Sequence, residues 1–369
     1  MRILFSNGTR DWGGEKTWAI ETASFLQGQG HACAVLGRLG DPWVEACAQQ
    51  GLESHGIRFG PAIFNPVGLF NYFRVARAFA PDCILVNISR DMCAGAVAGA
   101  LLGIPVLRHV GLAEDLNHDP VDWWLHRQML THTIAVGHQM KREMLEKYRW
   151  LEAESVEVIH IGKDITRFTT GSRRDLRDEW GIPRDALLVG VTSQLEEKKG
   201  HTVLFEALAR PSLEGLHLVV VGRGGNREAL EATVDALGLR GRVHFLGFRR
   251  DIEAVLCNLD IFALPSLNEG FPNSLVEAMA TGRPSISTDL ACVSEILQDG
   301  INGLLVPPGD AASLANALET MAGDPVTRAR MAAAARKTVE ESFSLEATAM
   351  KTASLVSRCV AEYAVGRSR

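Results

Sequence analysis

The sequence predicts an α/β protein made of two doubly wound parallel sheets, and three observations carry that reading. Short apolar runs alternate with longer amphipathic stretches along the chain, the pattern of buried parallel strands joined by crossover helices. Near residue 165 the alternation breaks and then restarts. The chain also has 369 residues, too many for one ordinary core but suited to two α/β domains.

In the first half, strands are expected over residues 2–6, 31–36, 83–86, 105–109, 133–136 and 156–159. Helices are expected over 15–29, 43–50, 94–102 and 123–130. Trp18, Ala19, Phe25 and Leu26 mark the first helix by their spacing. Asp119 and Pro120 read as an N-cap and a first-turn proline ahead of the fourth. In the second half, strands are expected over 187–192, 217–221, 243–246, 261–264 and 284–287. Helices are expected over 173–180, 201–209, 227–237, 252–257 and 274–280. Residues 311–364 read as almost entirely helical. A polar, glycine-containing stretch at 162–171 suggests the boundary, giving domains 1–165 and 166–345 and a terminal helix, 346–369, that crosses back to the first.

Composition narrows the function. Hydrophobic residues make up 46% and charged residues 22%, so sizeable cores can form. The net charge of −6 is shared evenly by residues 1–165 and 166–369. Neither half is a basic module, which argues against nucleic acid as a partner. Seven cysteines lie scattered with no CxxC pair, a pattern of reduced buried thiols. The start MRILFSNG reads as a strand and turn, with no basic leader segment before an apolar run. The longest apolar stretch, 94–107, is broken by three glycines and Pro105 and is too short to span a bilayer. A cytoplasmic protein is expected.

The most informative stretch is LPSLNEGFPNSLVEAMATG, residues 264–282. A strand ends at Leu264, a loop carries Glu269 and Gly270, and a helix starts near Pro272. The amides of Asn273, Ser274 and Leu275 would then be open donors at a helix N-terminus, an anion site reinforced by the helix dipole. Glu277 is the one charge in an otherwise apolar helix, and its carboxylate can accept two hydroxyls of a ribose diol. Glu269 can accept hydroxyls from a sugar beyond the phosphates.

This segment resembles the E-x7-E motif of the retaining glycosyltransferases of family 4, and the likeness runs over nearly the whole chain. VTSQLEEKKG (191–200) resembles that family's lysine–glycine loop, and IHIGKDITRF (159–168) its interdomain asparagine-glycine-valine-aspartate segment. VHFLGF (243–248) and GINGLLVPP (300–308) match as well. The resemblance implies the GT-B fold: two facing Rossmann-like doubly wound domains with a deep interdomain cleft. It implies that Lys199 binds the donor diphosphate, that Asn273, Ser274 and Leu275 join it, and that Glu269, Gly270 and Phe271 hold the sugar. Glu277, with the loop of Phe248 and Arg249, is implied to hold the nucleoside. Gly13 and Gly14 resemble the family's glycine pair near the donor phosphate, and His109 its histidine near the sugar and acceptor. His109, Glu269 and Lys199 are the residues expected at the reacting centre.

Two departures stand out. Gln194 occupies a position where the family often has arginine, and Arg223 is a candidate to supply the missing cation. The 289–295 loop, DLACVSE, lacks the family's usual glycines. Arg108 is a further candidate for the acceptor. Trp123 and Trp124 read as packing residues, with a membrane-facing role as the lesser reading.

With no Asp-x-Asp motif and no evident carboxylate pair for double displacement, the implied chemistry is metal-independent front-face transfer. The donor is a nucleotide-diphosphate sugar, a UDP-sugar being favoured, and no cofactor is expected. The acceptor is a saccharide or lipid-linked saccharide of cell-envelope polysaccharide or lipopolysaccharide synthesis, with peripheral contact at the inner membrane. The alternatives are a sugar-nucleotide 2-epimerase of the same fold or a non-catalytic nucleotide-sugar binder.

Overall fold

The computed structural model describes residues 1–10, 13–60, 65–87, 89–111, 116, 120–169 and 175–367. The cap expected at Asp119 lies outside them. So do the side chains of Ser89 and Arg90, which their position after a strand end offers as acceptor contacts.

The first part of the chain runs β1 (Arg2–Asn7), α1 (Gly14–Gly28), β2 (Ala32–Arg38), α2 (Pro42–Gln49), β3 (Glu53–Ile57), α3 (Pro66–Phe79), β4 (Cys83–Val86), α4 (Ser89–Leu102), β5 (Val106–Val110), α5 (Pro120–Gln128), β6 (His132–Ala135), α6 (His138–Lys147) and β7 (Val156–Val158). Its strands form one seven-stranded parallel sheet in the order β3-β2-β1-β4-β5-β6-β7. Alternate residues feed two cores: Ile3 and Phe5 face one, Leu4 the other. That two-sided burial is why these strands read as unbroken apolar runs. Asp41 caps α2 and also holds the buried Lys16 ammonium at 2.5 Å, tying α1 to α2. Asn65 caps α3 ahead of Pro66 in the same manner.

The second part runs α7 (Arg177–Trp180), β8 (Leu187–Thr192), α8 (His201–Leu208), β9 (Leu216–Val221), α9 (Arg227–Ala236), β10 (Val243–Gly247), α10 (Ile252–Cys257), β11 (Ile261–Leu264), α11 (Asn273–Ala280), β12 (Ser285–Thr288), α12 (Ala291–Ser294), β13 (Leu304–Val306), α13 (Ala311–Gly323) and α14 (Pro325–Thr338), followed by a π-helical turn (Val339–Phe343). The six strands are parallel in the order β10-β9-β8-β11-β12-β13. Both sheets therefore reverse direction of growth between their first and fourth strands, the switch point at which open α/β sheets bind ligands.

The chain divides into two compact units, residues 1–162 with 345–369, and residues 163–344. The closing helix α15 (Leu345–Arg367) packs on α1. Ala349, Leu355, Val356 and Cys359 share a core with Ile3, Phe5 and Trp18.

Trp123 and Trp124 differ from expectation. They are 40% and 43% exposed, while their neighbour Leu125 is fully buried, so α5 turns the tryptophans out and packs through Leu125. None of the seven cysteines is in a disulfide, and six of them are buried. Among the described residues no helix is long and apolar enough to cross a membrane.

Val356 is fully buried in the first unit's core. Val356→Asp strands a carboxylate there, and a loss of about 3 kcal/mol or more of that unit's stability is expected. Urea unfolding followed by circular dichroism measures it; an unchanged midpoint would show that α15 is not part of the core.

Candidate active site

The sheet order of the second unit sets β8 beside β11, so the loops after these strands meet at the switch point. Glycines let them approach. Gly200 has φ +65°, and a Cβ there would lie 2.0 Å from the Pro265 carbonyl oxygen. Gly222 has φ +149°, and its Cβ would lie 1.8 Å from the Ser193 carbonyl oxygen. The Leu267 amide donates to the Lys198 carbonyl at 2.7 Å and locks the first two loops together.

These loops enclose a cavity of about 470 Å³. It is lined by the side of the site that the sequence singled out: Gln194, Lys199, Arg223, Phe248, Arg249, Glu269, Phe271, Asn273, Ser274 and Glu277. Lys199 donates to Glu269 Oε1 at 2.7 Å, and Ser266 Oγ donates to the same oxygen at 2.7 Å. An ammonium has three donors, so Lys199 keeps capacity for a second anion. Beneath the loop, the Cys292 thiol donates to the Glu269 carbonyl at 3.4 Å, and burial pushes that thiol up to about 11. The altered 289–295 loop thus supports the loop of Glu269. The Arg223 guanidinium lies 5.0 Å over the Phe248 ring, on the same cavity wall as Gln194.

Several expectations are corrected here. The Asn273 amide donates to the Phe271 carbonyl at 2.9 Å and the Leu275 amide to the Pro272 carbonyl at 3.0 Å. Pro272 sits at the N-cap, one residue before α11, so the turn entering the helix consumes those donors. Of the three amides, Ser274's alone keeps no partner among the described residues. The Leu275 side chain is fully buried in the core, and Gly270 is exposed beside the cavity without lining it. Arg249 is bound by Asp251 at 2.9 and 2.7 Å and by Glu179 at 2.7 Å, which hold its guanidinium charged. Its side chain is therefore engaged, leaving the backbone of that loop as the part open to a ligand.

Three lining or supporting residues escaped sequence reasoning. Lys163 bonds Glu277 at 2.9 Å and stands where the related segment has valine; a charge at an apolar motif position was the available signal. The Thr192 hydroxyl lines the cavity, buried with no partner among the described residues. Ser266 orients Glu269. Neither hydroxyl carried a signal in the sequence.

In the first unit, Gly13 and Gly14 are exposed at the start of α1, and a Cβ on either would meet nothing within 4 Å. Gly13 has φ −116°, which any residue adopts. Neither packing within the unit nor backbone conformation explains this glycine pair. His109, near the end of β5, is 1% exposed, with its ring stacked on Trp18 at 3.7 Å. Asn87 Nδ2 meets its Nδ1 at 3.1 Å, while Nε2 is buried with no partner among the described residues. Burial pushes the imidazole down to about 3, so it is neutral. A neutral ring accepting at Nδ1 carries its proton at Nε2, a buried donor with no partner among the described residues. Arg108 is corrected: it is fully buried, with bonds to the Asn87 carbonyl at 3.3 Å and to Met92 Sδ at 3.2 Å, and a contact to His126 Nε2 at 3.4 Å. Its charge is used inside the fold, where Asp91 is pushed up to about 7 by burial. Among the described residues no group of three or more His, Cys, Asp or Glu is placed to hold a metal ion.

His109 has a consequence for stability. Its value of about 3 in the fold lies below the 6.5 of an open chain. The unfolded chain therefore binds the extra proton between those values, and stability is full above 6.5 and lost as pH falls through that window. His109→Gln is expected to lose about 1 kcal/mol less per pH unit between roughly pH 6 and 5 than the parent. Urea midpoints at both pH values check this, and parallel slopes in the two proteins would contradict it.

Comparison with known proteins fits this geometry. Residues 172–338 match the family model for glycosyl transferases group 1, and residues 12–167 that for glycosyltransferase family 4. Over 46% of the chain the sequence is 36% identical to the lipopolysaccharide core biosynthesis glycosyltransferase LpsE of Rhizobium meliloti (strain 1021), a match spanning 50% of that relative's length. It is 27% identical to LpsD of the same organism, over 95% of this chain and 96% of that one. The crystal structure of Anabaena Alr3699/HepE in complex with UDP superposes with a TM-score of 0.84 at 25% identity, covering 97% of this chain and 100% of that chain. The chain belongs to the group 1, family 4 glycosyltransferases, which have the GT-B fold.

Proposed function

We propose that this glycosyltransferase moves a sugar from a UDP-sugar, with retention and without a divalent metal, to a saccharide or lipid-linked saccharide acceptor. The observation that carries the reading is the convergence of Lys199, Glu269, Glu277 and the open Ser274 amide on one cavity at the switch point of the second sheet. The UDP seen in the similar Anabaena structure supports the choice of nucleotide. Similarity to LpsE and LpsD supports lipopolysaccharide or related envelope polysaccharide as the setting, with the enzyme at the cytoplasmic face of the membrane.

In this reading the diphosphate takes the remaining donors of Lys199, the Ser274 amide and the dipole of α11. Arg223, stacked on Phe248, supplies the cation absent at Gln194. These groups stabilise the charge that grows on the leaving diphosphate, the task a metal ion performs in other designs. Glu277 accepts the ribose diol, and the backbone of Phe248 and Arg249 borders the base. Glu269, with Gly270 and Phe271, holds the transferring sugar. His109 donates from Nε2 to a sugar hydroxyl rather than acting as a base, since a group that titrates near 3 is a poor proton acceptor at neutral pH. Gly13 and Gly14 leave their backbone at the start of α1 open to a phosphate or sugar group. The bond from the sugar's anomeric carbon to the diphosphate breaks as the acceptor oxygen attacks the same face, and the acceptor proton passes to the departing phosphate oxygen.

Glu269→Ala is expected to lower turnover by roughly 100-fold, with UDP affinity changed little. Glu277→Ala is expected to weaken UDP by about tenfold. Calorimetry with UDP and a transfer assay on UDP-sugars, with and without magnesium, measure both. Undiminished turnover in Glu269→Ala would overturn the reading, and epimerisation of the donor without an acceptor would replace it.

A further inference from the structure

Helix α11 gives its apolar side chains to the core and turns one carboxylate out of it. Leu275, Val276, Ala278, Met279 and Ala280 are buried, while Glu277 faces the cavity described above. The Lys163 ammonium lies 2.9 Å from Glu277 Oε1, and the two side chains are 15% and 20% exposed. Among the described residues neither side chain has another hydrogen-bond or ion-pair partner. Lys163 does not itself line the cavity, so its effect on a ligand there passes through Glu277.

The backbone holds Lys163 in this place. Its amide donates to the Phe343 carbonyl at 2.8 Å, and it bridges Ser344 in parallel register. On the other side, Asp164 Oδ1 accepts from the Thr166 amide at 2.9 Å and from the Thr166 hydroxyl at 2.6 Å, which fixes the turn that follows. Arg336 of α14 donates to the Phe168 and Ala280 carbonyls, joining the same segment to the end of the helix that carries Glu277. Ammonium and carboxylate are therefore brought together by two fixed pieces of backbone.

A carboxylate this far out of water is costly without a cation. An ionised carboxylate has about four lone-pair sites, so one ammonium leaves room for both hydroxyls of a ribose diol. Without the ammonium no partner selects among the rotamers of Glu277, and the diol itself would have to order the side chain on binding. Valine, the residue at this position in the motif that the segment resembles, has no donor to offer.

We propose that Lys163 is a positioning residue for ribose recognition. It holds the Glu277 carboxylate in the orientation that accepts both ribose hydroxyls, and the preference of this site for a ribonucleotide over one without those hydroxyls depends on it. The inference rests on the reading of Glu277 given above and adds the residue that makes that carboxylate selective.

The test compares UDP with 2′,3′-dideoxy-UDP, which lacks both hydroxyls, by calorimetry on the full chain, on Lys163→Met, on Lys163→Val and on Glu277→Ala. The parent is expected to prefer UDP by about tenfold or more. Both Lys163 variants are expected to lose most of that preference, through weaker UDP and not through the dideoxy nucleotide. Each preference is a ratio measured on one protein, so a smaller folded fraction or a distorted loop lowers both affinities and leaves it unchanged. A preference kept in Lys163→Met, or an equal loss of both ligands, would overturn the proposal. So would a further loss of preference when Lys163→Met is added to Glu277→Ala, because Lys163 would then act on the ribose by itself. Glu277→Ala tells the two readings apart. A preference that survives it defeats the ribose role of Glu277, whereas one lost there and kept in Lys163→Met defeats the role of Lys163 alone. A parent that binds neither nucleotide, or both alike, defeats both.

Discussion

The second unit's cavity depends on one close approach, that of Gly200 to the carbonyl of Pro265. The distance is available to glycine alone, because any Cβ would occupy the space of that oxygen and because φ there is +65°. Once the two backbones touch, the Lys198 carbonyl accepts from the Leu267 amide, and Lys199 arrives 2.7 Å from Glu269. Two side chains seventy positions apart are thus set by backbone contact rather than by their own flexible stems. Pre-setting of this kind reduces the ordering that a ligand must otherwise cost.

The electrostatics follow from the same packing. Glu269 and Glu277 are each mostly buried, and each is matched to a lysine, Lys199 and Lys163. A buried carboxylate without such a partner would be destabilising. Pairing lets the cavity keep two anionic groups, proposed to accept sugar and ribose hydroxyls, beside a surface proposed to receive a diphosphate. Lys163 stands at the valine position of the motif that this segment resembles. It anchors beside the last turn of the unit, where its amide donates to the Phe343 carbonyl at 2.8 Å.

Most of the fold was legible because parallel strands are buried on both faces. Leu187–Thr192, Ile261–Leu264 and Cys83–Val86 stand where their apolar runs placed them. Strand β3 was missed since ESHGI lies at the sheet edge, mostly uncovered, and carries no apolar run. Helix α6 was missed because only Met140 and Met144 are buried among ten residues, too thin a stripe to show periodicity. Helix α3 had a readable start in Asn65 and Pro66 that went unused. The site divides in the same way. Charges at motif positions, such as Glu269, Glu277 and Lys199, could be read. The fate of individual donors could not: Asn273 and Leu275 lose their amides to the turn at Pro272, and Arg249 and Arg108 spend their charge on neighbours. Some of these pairings are local turns whose exact geometry no residue pattern fixes, and others, such as Arg249 with Glu179 and Arg108 with Asn87, join segments far apart in sequence.

The most direct test of this account is UDP affinity, by calorimetry, in Gly200→Ala beside Gly225→Ala. A Cβ at Gly225 meets nothing within 4 Å, so that variant is the control. Forcing the loops apart at Gly200 is expected to weaken UDP by about tenfold or more, with the control unchanged. A Gly200→Ala protein that melts as a folded chain and binds UDP as tightly as the parent would contradict the claim that this contact builds the cavity.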